Sequence, residues 1–314
     1  MVQSGAVNKE GISDLSKPIP VSSNEIIEER LNELAFAIED IIGGKAIAIN
    51  FGMMRGADNF VRDLIEGRSG RRKGQKILVI LETDGGQVEV ARRIAEILHH
   101  HYRTVDYLIP DHAWSAGTIL AMSGDSIYMD QFSVLGPIDP QVRATSGGPW
   151  VPGLGYVEKF NALMDKANTS KGLNTAEMTY LVEKFDPGML YWIEQERNLS
   201  IRLLKDWLVK YKFKNWKRTD TRKLAVTKAM KLKRAEEIAA KLNDTKLWHS
   251  HGRGIPMNVA RQTLNLRIQN FAKQSDLNVA VRTYYNLFTD YMGRRGHTDA
   301  LHQCGTYLGF DMDD

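Results

Sequence analysis

Ser115 has the clearest chemistry of any residue in this chain. It sits in Asp111-His112-Ala113-Trp114-Ser115-Ala116-Gly117-Thr118, between the short apolar run Val105–Pro110 and the small and apolar residues Ala116–Met122. A strand, a tight turn and a helix are the expected order, with Ser115 at the helix N-terminus. There a hydroxyl lies beside free backbone N–H groups and the positive end of the helix dipole. An oxyanion formed at such a place is stabilised, and the N–H of Ala116 is one expected donor. About thirty residues upstream, Thr83-Asp84-Gly85-Gly86-Gln87 also stands between an apolar run and a helical segment. Paired glycines there permit positive φ and close backbone approach, so Gly85 or Gly86 offers a second N–H. One nucleophile and two donors are the equipment of acyl transfer.

Two other chemistries fit poorly. Glycine-rich turns also cradle phosphates, but the chain has neither G-x-x-x-x-G-K-[ST] nor G-x-G-x-x-G, and the acid Asp84 precedes the glycine pair. The serine is not in a G-x-S-x-G elbow either, because Ala113 occupies the first glycine position.

The elements that position these residues are legible in the apolar pattern. Lys76–Leu81 is a continuous apolar strand of the kind buried in parallel sheets. Helices are expected over Glu25–Ile42, closed by Gly43-Gly44, over Asn59–Glu66 and over Val88–Tyr102. Strands are expected over Ala46–Phe51, before Ser115, and over Asp125–Met129. Successive β-then-α units argue for a mostly parallel sheet. The run His99-His100-His101 ends a helix, and adjacent helical residues point apart, so a solvated helix end is expected there and not a metal cluster. From about Leu173 the sequence reads as helical, with no further strand after Met129.

Three segments together resemble the serine dehydrogenase proteinase family, of the Clp protease and signal peptide peptidase A superfamily with its crotonase-like fold. They are Thr83–Gly86, Ala113–Thr118 and Leu135-Gly136-Pro137-Ile138-Asp139-Pro140-Gln141. The segment Trp248-His249-Ser250-His251-Gly252-Arg253-Gly254-Ile255 looks like a later motif of the same family. The resemblance implies a serine peptidase acting on peptides or unfolded proteins, assembled as a homo-oligomer, with no metal or cofactor. Asp84 and Ala116 depart from residues that relatives tend to have, which leaves open a reshaped oxyanion hole.

A serine needs a base to take its proton. Clp proteases place a His about twenty-five residues after the serine, and the corresponding stretch here, Gly136–Gln141, has none. Signal peptide peptidase A relatives use a lysine, and a desolvated lysine is a competent base near neutral pH. Lys159 and Lys166, seven apart and so on one helix face, lie at about the distance of that lysine. Lys159 is preferred for its apolar neighbours Val157 and Phe160. His112, three residues before Ser115 and in the same turn, is expected to be a structural or surface residue, with lining the site as the alternative. His251 is expected to pack near it, and Asp139, between two prolines, reads as a loop former that orients a neighbour.

The chain has 314 residues, 43% of them apolar, and can fill a large core. A lone cysteine, Cys304, excludes an intramolecular disulfide and fits a reducing compartment. Relatives often carry N-terminal membrane helices; no run of about eighteen apolar residues occurs here, and a cytoplasmic protein is expected. Residues 202–234 carry 13 Lys or Arg against two Asp, a net +11 that exceeds the chain's formal +4. Trp207, Tyr211, Phe213 and Trp216 are interleaved with these charges, as on a polyanion-binding surface, although helical spacing also makes them a core face.

The expected architecture is a crotonase/Clp-protease-like α/β core. A flexible tail over 1–23 precedes the core over 24–155, which carries the nucleophile, and a helical C-terminal region follows over 156–314. The expected function is a Ser-Lys peptidase: Ser115 as nucleophile, Lys159 or Lys166 as base, Gly85 or Gly86 and Ala116 as oxyanion donors. The alternatives are an enzyme binding acyl thioesters, against which no adenine-nucleotide pocket is visible, and a silent module whose basic helices bind a partner.

Overall fold

A computed structural model describes residues 22–69, 74–143, 148–219 and 221–311. The expected tail, but for its last two residues, and the acidic Asp313 and Asp314 lie outside these. Helix α1 (Ser23–Ile42) begins where the Ser22 hydroxyl accepts from the Glu25 N–H at 3.2 Å, and ends at Gly43, which takes the left-handed conformation. Strand β1 (Lys45–Asn50), α2 (Ala57–Ser69), β2 (Gly74–Glu82), α3 (Val88–His101) and β3 (Tyr102–Leu108) follow at the expected places. After them come β4 (His112–Ala113), α4 (Ala116–Met122), β5 (Ser126–Met129), β6 (Val134–Leu135), β7 (Gln141–Arg143) and β8 (Trp150–Pro152).

Helices then dominate: α5 (Gly153–Ala167), α6 (Thr175–Lys184), α7 (Pro187–Trp207), a π-helical turn over Leu208–Lys212, α8 (Lys228–Leu242) and α9 (Thr245–Trp248). The chain ends with β9 (Ile255–Pro256), α10 (Met257–Gln262), β10 (Gln269–Asn270), α11 (Ser275–Arg295), β11 (Asp299–Gln303) and β12 (Thr306–Phe310).

The main sheet has the order β10-β5-β3-β2-β1-β11-β12. Strands β10, β5, β3, β2 and β1 run parallel, and β11 pairs antiparallel with β1. Both faces are covered, which explains the unbroken apolar runs. Ile77, Val79 and Leu81 of β2 pack with α2 and α3 on one face, while Leu78 and Ile80 pack with α1 and α11 on the other. This is the mixed α/β fold with a large, mainly parallel sheet expected from the sequence, followed by a helical region.

Two expectations are corrected, and for the aromatics of the basic stretch the core-face reading holds. Strands do occur after Met129, and β10, β11 and β12 extend the main sheet at both edges. The end of α3 is not simply solvated. The His99 ring stacks on Tyr211 with centroids 3.6 Å apart, and its Nε2 is 2.8 Å from the Ser123 carbonyl. Burial lowers the His99 pKa, and the bond to Ser123 opposes that shift. The aromatics of the basic stretch mostly face inward, with Trp207 and Phe213 only 7% and 8% exposed. Two of its lysines, Lys205 and Lys214, pair with Glu236 and Asp125. The combination that suggested a polyanion surface is therefore not displayed as one.

Among the described residues no helix is long and apolar enough to cross a membrane. Cys304 is buried against the α1 side of the sheet, and burial, with Glu39 close by, pushes its thiol up to about 12. Native protein is expected to resist iodoacetamide at pH 8 and to react fully once unfolded, as intact mass would show.

Candidate active site

Three turns at the carboxyl ends of the parallel strands meet at Ser115. The turn after β2 is held by the one after β1: the Met53 N–H donates to the Gly85 carbonyl at 2.7 Å, and the Gln87 N–H to the Met53 carbonyl at 2.8 Å. The turn after β2 also bridges to the Ser115 turn, with the Thr83 N–H donating to the His112 carbonyl (3.2 Å) and the Trp114 N–H to the Thr83 carbonyl (2.9 Å). Gly85 and Gly86 have φ of +95° and +131°. A Cβ on Gly85 would lie 2.9 Å from the Ser115 Cβ and 2.8 Å from the Trp114 carbonyl oxygen, so the glycine turn touches the serine turn directly.

Ser115 caps α4 with φ +46° and ψ −111°, a conformation that L-residues rarely adopt and that costs on the order of 1–3 kcal/mol. Packing holds it there. The Thr118 hydroxyl oxygen is 2.7 Å from the Ala113 carbonyl and accepts from the Gly136 N–H at 2.9 Å, which fixes α4 on the segment after β6. Of the expected oxyanion donors, the Gly85 N–H donates to the Thr83 hydroxyl at 3.1 Å. The N–H groups of Gly86 and Ala116 have no hydrogen-bond partner among the described residues.

The small sheet β4-β6-β9 gathers the remaining polar groups. Strand β4 runs parallel to β6, and β9 antiparallel to it, with Ala113 opposite Leu135 and Leu135 opposite Ile255. Ser115 is two residues beyond β4, Asp139 four beyond β6, and His251 four before β9, so all three leave the sheet at the same end. Asp139 is 3% exposed and both its oxygens are used. The His251 Nδ1 is 2.8 Å from Oδ1, and the Gln141 amide nitrogen donates to Oδ2 at 2.7 Å. A carboxylate only accepts, so Nδ1 carries the hydrogen of this bond, and in the neutral tautomer this leaves the lone pair on Nε2.

The two lysines are placed differently. Helix α5 packs on β8, α6 and α7. Lys159 is exposed, Lys166 is ion-paired with Glu177, and no hydrogen bond or ion pair joins either to Ser115 among the described residues.

His112 lies between two acids, its Nε2 3.2 Å from Asp84 and its Nδ1 3.2 Å from Asp111. Glu82, Asp111 and His112 bring one ligand atom each within 4.8 Å of one another, a donor set that suits a divalent ion. Burial raises the Glu82 pKa, while a hydrogen bond from Tyr285 lowers it. The folded chain therefore holds the Glu82 proton to higher pH than the unfolded chain does, and stability falls as pH rises from the ordinary carboxylate value through the raised one. Glu82→Gln is expected to raise the melting temperature at pH 7 and to flatten its dependence on pH above 4.5, measured by thermal denaturation.

The sequence comparison bears on the segment that carries Ser115. Residues 66–159 match the family of ClpP-like SDH-type serine proteinases. Ser115 lies within the matched residues. Two uncharacterized proteins of Methanocaldococcus jannaschii are similar to this chain, one 41% identical over 70 residues and the other 38% over 64. These matches span 22% and 20% of this chain and only 24% and 22% of the relatives. Among solved structures, a membrane-bound stomatin-specific protease in complex with a substrate peptide superposes with a TM-score of 0.40 at 14% identity, over 71% of this chain and 73% of that one. ClpP1 from Listeria monocytogenes superposes with a TM-score of 0.39 at 11% identity, over 74% and 95%.

Sequence reasoning singled out Asp139 and His251 but not their pairing, and it missed Gln141 as a partner of Asp139. All three lie in the two segments that carry the ClpP-like resemblance, and that was the available signal. Nothing local in either segment says that a residue 112 positions away completes it.

Proposed function

We propose that the chain is a serine peptidase that cleaves peptide bonds through an acyl-enzyme on Ser115, with His251 as base and Asp139 orienting it. The observation that carries this reading is the buried Asp139 carboxylate, which holds His251 by Nδ1 at the end of the small sheet from which Ser115 also emerges. Nε2 takes the Ser115 proton as Oγ attacks the carbonyl carbon, and the N–H groups of Gly86 and Ala116 receive the developing oxyanion. When the C–N bond breaks, the same proton passes to the departing amine. A water then attacks the ester, giving its proton to Nε2, and Ser115 is released. The substrate class is peptides or unfolded protein, and the assembly a homo-oligomer, as the ClpP-like resemblance implies.

In the Ser-Lys form of this reading, Lys159 or Lys166 replaces His251. The exposure of Lys159 and the ion pair of Lys166 favour the His form. The test is intact-mass analysis after incubation with a fluorophosphonate. The folded native chain should gain one probe mass, mapped to Ser115, and Lys159→Ala and Lys166→Ala should label at the native rate. Loss of labelling in one lysine variant alone would transfer the base to that residue. No labelling of the folded chain, or labelling elsewhere, would overturn the peptidase reading.

A further inference from the structure

Next to the Asp139–His251 pair lies a broadly open cavity of about 420 Å³ whose walls are carbon almost throughout. Gln141 and Val142 of β7 form one side, Trp150 of β8 a second, and Met189 and Trp192 in the first turns of α7 the third. The two tryptophans are left 61% and 45% exposed. Carbon-lined walls around a space of this volume, which is that of small-ligand sites, suit an apolar group. The Arg143 guanidinium lies 5.1 Å from the centre of the Trp150 ring and puts a cation at the rim, outside the apolar walls.

Two features join this cavity to the proposed catalytic groups. Gln141 lines it and also donates to the carboxylate that holds His251, so two hydrogen bonds separate the cavity wall from the imidazole. The Gly153 N–H donates to the Pro140 carbonyl at 2.7 Å, and a Cβ on Gly153 would come within 3.0 Å of that oxygen and 3.2 Å of Ile193. The hairpin β7–β8 and helix α7 are thus fastened to the residue between Asp139 and Gln141.

We propose that this cavity takes a large apolar side chain of the peptide substrate and sets the selectivity of the site, with Gln141 fixing its position relative to Asp139. The proposal rests on the peptidase reading for the word substrate, and on the cavity alone for the preference. An aromatic or leucine-sized group fills space that an alanine leaves empty. Apolar pockets commonly discriminate by tenfold or more on such differences.

The test uses the full chain with Ser115→Ala, so that nothing is cleaved, and short blocked peptides of Ala and Ser carrying one Phe, one Leu, one Asp or no large residue. Binding is followed by tryptophan emission, because Trp150 and Trp192 line the cavity, and by calorimetry. Phe and Leu peptides are expected to bind at least about tenfold more tightly than the others. Trp192→Ala or the filling change Met189→Phe should remove that preference. Equal binding of all the peptides, or a preference that survives both variants, would overturn the proposal. So would emission that shifts with chain concentration and not with peptide, which would assign the cavity to contact between copies.

The native chain, labelled in parallel by the fluorophosphonate, separates the two ideas. Labelling at Ser115 without peptide preference removes the cavity's role and leaves the peptidase. Preference without labelling removes the peptidase and keeps an apolar peptide-binding cavity.

Discussion

Asp139→Asn is expected to lower both the rate of Ser115 phosphonylation and the rate of peptide hydrolysis by about 10³–10⁴-fold, the loss that follows when a base is held in the wrong tautomer. Asn keeps the shape and burial of the carboxyl, and its carbonyl can still accept from one of its two present partners, so the fold survives. If the Asn side chain turns its amide N–H towards His251, Nδ1 must accept, the hydrogen moves to Nε2, and the imidazole cannot take a proton from Ser115. His251→Ala removes the base outright and should lose a similar factor. Urea unfolding of each variant separates this effect from a loss of structure. A folded Asp139→Asn chain that labels at the native rate would dissolve the proposed triad.

Gly85→Ala is the second large effect. At φ +95° an added Cβ is strained whatever its surroundings, and here it would meet the Trp114 carbonyl oxygen at 2.8 Å and the Ser115 Cβ at 2.9 Å. Backbone strain alone costs roughly 1–2 kcal/mol. The contact is made with the serine turn itself, so relief can come only by moving Ser115 or the glycine pair. Displacements near 1 Å at a reacting centre cost about 100-fold in rate. Labelling at least about 100-fold slower, with a lowered melting temperature, is therefore expected. Gly43→Ala supplies the control: φ is +63° but the space is open, so it should cost stability and leave the labelling rate unchanged.

The contrast between these glycines shows what could be read in advance. The glycine pair and Ser115 were legible because each stands in a local sequence of apolar run, small-residue turn and helix, and the apolar runs are long where a strand is buried on both faces. Strand β11 was not legible for the opposite reason. Asp299-Ala300-Leu301-His302-Gln303 has three polar residues in five, yet all five are buried. Its burial depends on groups supplied from elsewhere: Asp299 accepts from the Gly52 N–H at 3.1 Å, and His302 is within 2.7 Å of the Tyr284 hydroxyl and 3.2 Å of the Asn32 side chain. A polar residue becomes acceptable in a core strand only once its partner is known, and these partners are remote in sequence.

The same distinction separates the nucleophile from its base. Local chain order alone determined a serine after a strand and before a helix, glycines beside it, and a parallel α/β core to hold them. The choice between an imidazole and a lysine could not be made locally, because a lysine near the right spacing is common and a histidine more than a hundred residues away has no spacing to judge. What favours the proposed imidazole is tertiary: the register of β4, β6 and β9, three two-residue strands from which Ser115, Asp139 and His251 leave at one end. Register is a property of paired strands, and no single strand contains it.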